Sequence, residues 1–335
     1  MDYELTLIDR LGVIKSVNEK YDLEHNAYLS FSGGKDSTIL HYLLDMALPN
    51  NRIPRVFIDT GIEYQMIRDF VLTMAKNDNR FVIIKPSKPI KQTLEQVGYP
   101  FKSKQHSANV ELYKKQMNKF EEIRKVIDKD ISLLTDYNFV HSLPIGVKTL
   151  VKYYYGVRER ERESVRYINS MTCPKQLQVQ FTPSYSLNIS KKCCNELKKK
   201  PAHKYELQSG RTIVLTGMRQ AEGGNRTLMS GCVLTDDKGN LKKFHPLLVV
   251  DDEWENEFVK DNKVELCKLY DSPFNFRRTG CAGCPYNLNL QEDLEIMERY
   301  LPSQRKQCEF IWKPIYDEYR RLKYRLKNVE TIKLF

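Results

Sequence analysis

Two groups of residues in this 335-residue chain have the types and spacing to do chemistry. The first is Ser32-Gly33-Gly34-Lys35-Asp36-Ser37, set between Tyr28-Leu29-Ser30-Phe31 and a helical pattern of Ile39, Leu40, Leu43 and Leu44. In a strand–loop–helix of this kind, two glycines let the backbone approach an anion closely. The helix start offers unpaired N–H groups and a positive dipole end. Ser32 and Ser37 add hydroxyl donors and Lys35 a point charge, while Asp36 either caps the helix or helps to hold a magnesium ion. The loop is shorter than a Walker loop. An ordinary turn before a helix accounts for the glycines but not for the whole hexapeptide.

The second group is Cys193-Cys194 followed far along the chain by Cys281-Ala282-Gly283-Cys284. Four thiolates are the usual shell of a [4Fe–4S] cluster. Zinc also takes four thiolates, but usually from two Cys-x-x-Cys turns, and an adjacent pair suits it poorly. Unliganded buried thiols are the third reading. Lysines beside the pair, and Arg278, would offset thiolate charge. Cys173, Cys232 and Cys267 read as small buried hydrophobes. Cys308 has Arg305 and Lys306 nearby to lower its pKa, yet shares a helical pattern with Phe310, Ile311, Ile315 and Tyr319; packing is the stronger reading and a nucleophile the weaker.

These residues need a scaffold. Further strands are expected at Arg55–Ile58, ending in Asp59-Thr60-Gly61; at Phe81–Ile84, closed by Pro86; and at Thr212–Leu215, ending in Thr216-Gly217-Met218-Arg219. Helical patterns alternate with them, which implies right-handed crossovers, a mostly parallel α/β sheet and ligands at the carboxyl ends of the strands. The expected organisation is an N-terminal part of the nucleotide-binding core (1–100), a mostly helical insert (101–190), the rest of the core with the cysteines (191–290) and a basic helical C-terminal region (291–335). The alternating Arg/Glu run Val157–Arg166 reads as a solvent-exposed helix laced with ion pairs.

The net charge of +11 suits nucleotide phosphates or a nucleic acid and specifies neither. The run Arg320-Arg321-Leu322-Lys323-Tyr324-Arg325 fits a DNA or RNA acceptor or a solvated helix face. No stretch reaches the roughly 18 apolar residues of a membrane span. The first residues lack a secretory pattern, so a cytoplasmic protein without a membrane partner is expected.

The hexapeptide Ser32–Ser37 resembles the pyrophosphate-binding loop of the ATP-pyrophosphatase (PP-loop, adenine nucleotide α-hydrolase-like) superfamily. Val56-Phe57-Ile58-Asp59-Thr60-Gly61-Ile62-Glu63-Tyr64 looks like the second-strand signature of its phosphoadenylyl-sulfate (PAPS) reductase branch. Gly98-Tyr99-Pro100-Phe101 is similar to that branch, as is Thr216-Gly217-Met218-Arg219 with Glu222 and Arg226. The cysteine pattern, with Lys191-Lys192 before the pair, resembles the cluster motif of the iron–sulfur reductases. The resemblance runs over Asn26–Ile84 and Lys191–Tyr286.

It implies that Ser32, Gly33, Gly34, Lys35, Asp36, Ser37, Asp59, Thr60 and Gly217 bind ATP or a related adenine nucleotide. It also implies that Cys193, Cys194, Cys281 and Cys284 hold a [4Fe–4S] cluster, and that Arg219 and Arg226 face an anionic substrate, surface ion pairing being their alternative. The carboxy-terminal Glu-Cys-Gly-Leu-His segment of the sulfite-releasing reductases is missing, and the loop is intact where theirs is often degenerate. Both points favour cleavage of ATP to AMP and pyrophosphate in sulfur transfer, with Lys35, Asp36, Arg219 and Arg226 catalytic and a magnesium ion on the leaving pyrophosphate. The enzymes that make DNA phosphorothioates and the cluster-dependent tRNA thiolases are similar in this respect. The alternatives are a strict PAPS or APS reductase using a thioredoxin-like partner, and a binding subunit without turnover. A sulfur-donor protein and a homo-oligomer or larger complex are the remaining expected partners.

Overall fold

The computed structural model describes residues 2–157 and 172–327. The expected helix at Val157–Arg166 lies, beyond its first residue, outside the described residues. Six strands follow in chain order: β1 (Ala27–Ser30), β2 (Arg55–Ile58), β3 (Phe81–Ile84), β4 (Ile213–Leu215), β5 (Val233–Thr235) and β6 (Leu241–Phe244). The helices used below are α1 (Tyr3–Tyr21), α2 (Lys35–Ala47), α3 (Gln65–Asn77), α4 (Lys104–Lys129), α5 (Ile145–Tyr155), α6 (Asp252–Asp261), α7 (Leu290–Tyr300) and α8 (Pro302–Arg321). Among the described residues no helix is long and apolar enough to cross a membrane.

The chain forms two compact units, Met1–Ile90 with Asn195–Ala282, and Lys91–Cys194 with Gly283–Phe335. The first holds the sheet, in the order β3-β2-β1-β4-β6-β5. All pairings are parallel except β5 with β6, so the expected mostly parallel α/β fold is what the chain adopts. β1 is central, and Ala27, Tyr28 and Leu29 are all buried, as a strand covered on both faces requires. From β1 the chain passes to β2 on one side and later returns to β4 on the other. That reversal lies between β1 and β4, and sheets of this kind take ligands outside the carboxyl ends of the strands at such a point.

Charge inside this unit is paired. The buried Arg55 guanidinium reaches Asp45 Oδ1 at 2.7 Å, Asn51 Oδ1 at 2.8 Å and His41 Nδ1 at 3.0 Å. Burial, reinforced by Arg55, pushes the His41 imidazole down to about 4.

In the second unit α4 and α5 enclose an aromatic core of Tyr113, Phe120, Tyr153 and Phe181. His106 sits in it fully buried, its Nδ1 2.7 Å from Tyr153 Oη and its Nε2 2.6 Å from Gln180 Oε1. Burial drives its pKa down to about 3, so it is a neutral structural bridge. The chain beyond Cys284 is helical in α7 and α8, but α8 ends at Arg321, so the basic run Arg320–Arg325 leaves the helix after its first two residues.

Candidate functional site

The hexapeptide and the residues described around it belong to the first unit. α2 begins at Lys35 with Gly34 as its N-cap, and no side chain caps it. Asp36 therefore does not cap the helix; its Oδ1 lies 3.2 Å from Arg219 Nε. The loop closes on its own hydroxyls. Ser32 Oγ is 3.0 Å from Ser37 Oγ, the Gly34 N–H donates to Ser32 Oγ at 3.2 Å, and the Ser37 hydroxyl donates to the Gly34 carbonyl at 2.9 Å. Gly33 has φ +71°, and a Cβ there would meet Ile67 and Val71 of α3 at 2.9 Å, so glycine is required on both grounds. Gly217, just beyond β4, has its backbone against Asp36: a Cβ would lie 2.6 Å from the Asp36 carbonyl oxygen. This contact brings the β4 loop onto the start of α2.

Arg219 and Lys35 converge on a residue that the sequence reading did not single out. Glu255, on α6, is completely buried, with Oε2 2.8 Å from Lys35 Nζ and 3.0 Å from Arg219 Nη2. Arg219 Nη1 also lies 2.8 Å from Asp252 Oδ1. Arg219 is thus a buried centre of three carboxylates, which removes surface ion pairing as its role. Burial and neighbouring Asp36 hold the Glu255 carboxyl above the usual carboxylate range, against the pull of Lys35 and Arg219. Neither Glu255 oxygen makes an aligned hydrogen bond among the described residues. A carboxylate of this depth is costly even when it is paired with cations, and such costs concentrate at functional sites.

Arg226 is partly exposed and pairs with Glu222 Oε1 at 2.8 Å; Arg278 Nη2 approaches the same oxygen at 3.4 Å. Asp59, just beyond β2, is buried, 3.0 Å from Arg68 Nε and 4.0 Å from Lys85 Nζ. The Thr60 N–H and hydroxyl both donate to Glu63, at 2.9 and 2.7 Å. The Lys35 N–H donates to Tyr270 Oη at 2.9 Å, and that phenol pairs with Thr279 Oγ1 at 2.6 Å.

Within the second unit, Cys193 and Cys194 place their sulfurs 3.9 Å apart. The Tyr286 phenol is raised first by burial, and the thiols of Cys193, Cys194 and Cys284 all push it further. Among the described residues no three His, Cys, Asp or Glu side chains are gathered as a metal centre. Tyr316 Oη donates to the Gly283 carbonyl at 2.5 Å and Tyr319 Oη to the Pro285 carbonyl at 2.8 Å, so α8 holds the strand of chain that carries Cys284. A Cβ on Gly283, φ +60°, would meet Cys308 Cβ and Sγ at 2.9 Å. Cys308 is fully buried beneath that turn, and burial pushes its thiol up to about 12. It packs in the interior. Cys173 and Cys267 are buried, and Cys232 is half-buried.

The family model of the phosphoadenosine phosphosulfate reductase domain matches residues 26–143 and 146–287. A curated relative, the uncharacterized protein MJ0973 of Methanocaldococcus jannaschii, is 33% identical over 93 residues, 28% of this chain and 22% of that protein. The match thus spans about a fifth of the relative's length. Among solved structures, the chain is similar to phosphoadenylyl-sulfate reductase from Candida auris in its phosphate complex (13% identity, 76% of this chain and 81% of that one, TM-score 0.39). It is also similar to NH3-dependent NAD synthetase from Campylobacter jejuni (12% identity, 98% and 100%, TM-score 0.35). The family pattern runs from the first core strand to beyond the last cysteine of the turn, and the chain belongs to the phosphoadenosine phosphosulfate reductase domain family of PP-loop nucleotide-binding enzymes.

Proposed function

We propose that the chain binds ATP at Ser32–Ser37 and cleaves it at the α-phosphate, adenylating an acceptor in sulfur transfer and releasing pyrophosphate. The observation that carries this reading is the intact loop at the reversal of the sheet, with Lys35, Asp36 and Arg219 gathered on one side of it. The α2 amides after Lys35 receive phosphate oxygens, the Ser32 and Ser37 hydroxyls turn from their contacts within the loop to join them, and Lys35 exchanges Glu255 for the leaving pyrophosphate. Asp59, Thr60 and Gly217 border the nucleotide, and Arg226 meets the anionic part of the substrate.

Magnesium usually arrives on nucleotide phosphates with one or two protein carboxylates, and the partly exposed Asp36 is the carboxylate on the loop. The donor chemistry of Cys193, Cys194, Cys281 and Cys284 fits a [4Fe–4S] cluster. When bound, such a cluster supplies a redox-active or sulfur-binding centre; the chain's own part is to hold the turn through Tyr316 and Tyr319.

The test is anaerobic purification with iron and acid-labile sulfide analysis, joined to a pyrophosphate-release assay with ATP, in wild type and Cys281→Ser. Pyrophosphate release, with iron and sulfide lost in the variant, is expected. Sulfite release from a sulfonucleotide without pyrophosphate from ATP would instead establish the strict reductase. Neither product, with tight nucleotide binding, would establish a binding subunit. The buried Cys308, raised to about 12, argues against the first of these alternatives.

A further inference from the structure

In the second unit, α4 sorts its charges by side. His106, Val110, Tyr113 and Phe120 are buried in the aromatic core. Two of its acids are held by the unit's own chain. Glu111 accepts from Ser190 Oγ at 3.3 Å and lies 3.4 Å from Lys192 Nζ, while Glu121 accepts from Tyr113 Oη at 2.9 Å and lies 3.1 Å from Arg124 Nη1. The lysines go outward: Lys104, Lys114, Lys115, Lys119, Lys125 and Lys129 are all exposed, against Glu122 and Asp128 as the exposed acids of the helix. Asp128 is itself engaged, 3.8 Å from Arg124 Nε and accepting from Tyr155 Oη at 2.7 Å. Lys125 and Lys129 stand one turn apart, where like charges repel. A polyanion laid along such a face relieves that repulsion.

Both ends of this face add to it. Near one end the Glu111 contacts draw Lys191 and Lys192 against α4, the Lys191 N–H donating to Glu111 Oε2 at 3.4 Å, so the basic surface continues to the residues beside Cys193 and Cys194. Beyond the other end the chain turns through Ile131–Leu134 into a short helix, Tyr137–Ser142, on which Tyr137 and His141 stack with ring centroids 3.8 Å apart and planes 21° apart. Both rings are exposed, Tyr137 by 69%, and Lys148 Nζ donates to the His141 carbonyl at 3.0 Å. Exposed aromatic rings beside a row of cations are what unpaired bases stack on. A protein partner fits less well, because lysine is depleted from protein–protein interfaces, whose centres are aromatic and apolar. A membrane surface needs the apolar side of a helix turned toward it, and here that side is in the core.

We infer that the lysine face of α4 binds a single-stranded nucleic acid, its phosphates along Lys104 to Lys129 and an unpaired base on Tyr137. As the class of the acceptor, the strand rests on the adenylation reading; as a ligand of this face it stands without it.

The experiment is fluorescence anisotropy of the full chain with a labelled single-stranded RNA of mixed sequence, the DNA strand of the same sequence and its duplex, over a series of salt concentrations. If about five lysines each neutralise one phosphate, log affinity for a single strand falls against log salt with a slope of about −3.5. Lys119→Gln/Lys125→Gln should weaken binding about tenfold or more at about 0.1 M salt and make the slope shallower by about 1.4, and the corresponding arginine pair should restore both. Tyr137→Ala should weaken binding about fivefold or more with the slope unchanged, and Tyr137→Phe should restore it. Lys238→Gln/Lys260→Gln removes the same charge from exposed positions of the first unit and should cost less than about twofold. Equal losses from the two glutamine pairs overturn the inference, as does competition by polyglutamate as strong as by the strand itself. Tightest binding to the duplex with Tyr137→Ala neutral, or no binding by wild type, overturns it as well. Strand binding on α4 in a protein that releases no pyrophosphate from ATP keeps the surface and removes the adenylation reading alone.

Discussion

Lys35 Nζ, on the glycine-rich loop, lies 2.8 Å from Glu255 Oε2, and the Glu255 side chain is wholly shut off from solvent. The cation best placed to meet a phosphate is therefore already engaged by a buried carboxylate. That carboxylate comes from the acidic first turn of α6.

This pairing sets the sign of two substitutions. Lys35→Ala is expected to weaken pyrophosphate and ATP binding by about tenfold or more, through loss of a charge-assisted contact. Glu255→Gln keeps the volume and removes the competing charge, so pyrophosphate affinity should rise by about two- to fivefold. A fall in affinity for Glu255→Gln, measured by calorimetry, would show that Glu255 organises the site rather than opposes the ligand. Glu255→Ala removes the buried partner of both cations while Arg219 keeps Asp36 and Asp252, and should lower stability by about 1–3 kcal/mol in denaturant titration.

Gly217→Ala tests the contact between the β4 loop and α2. A Cβ 2.6 Å from the Asp36 carbonyl oxygen forces the two apart. The expected result is a stability loss of about 1–3 kcal/mol together with weakened nucleotide binding, whereas binding unchanged at lower stability would separate packing from the site.

Cys308→Ala should retain turnover within about twofold, because the buried, high-pKa thiol has no route to substrate. Loss of activity to background, in a variant that still melts cooperatively, would make it the nucleophile after all.

Acid should unfold the chain early. His106, pushed down to about 3, and His41, pushed down to about 4, remain neutral in the folded chain while the unfolded chain takes up protons below the usual imidazole value of about 6.5. Stability is therefore fully present above about pH 6.5 and falls toward pH 4 by at most about 1.4 kcal/mol per pH unit for each group. Urea titrations of wild type and His106→Gln between pH 7 and 4 check this: the variant's slope should be shallower.

The sequence exposes the first half of the core well. Arg55–Ile58 and Phe81–Ile84 form strands over those residues, and β1 and β4 fall within one residue of expectation, because short apolar runs bounded by loops leave few alternatives. β5 and β6 escape notice for a physical reason. In Leu241-Lys242-Lys243-Phe244 only the two ends are buried, and a four-residue strand near a sheet edge has too little apolar sequence to stand out. α1 is hidden likewise, since Leu5 and Ile8 are exposed while Arg10 is buried. The loop residues were legible because they are contiguous. Glu255 and Tyr270 reach Lys35 only through the folding of the chain, and no spacing rule relates them.

The packing of Cys308 under Gly283 has a practical consequence. A thiol with no access to solvent reacts with an alkylating reagent only when the turn above it lifts from α8. The rate at which Cys308 is labelled, followed by mass spectrometry, is thus a clock for the opening of the segment that carries Cys284. Whatever that segment comes to hold will be read as a slowing of the clock.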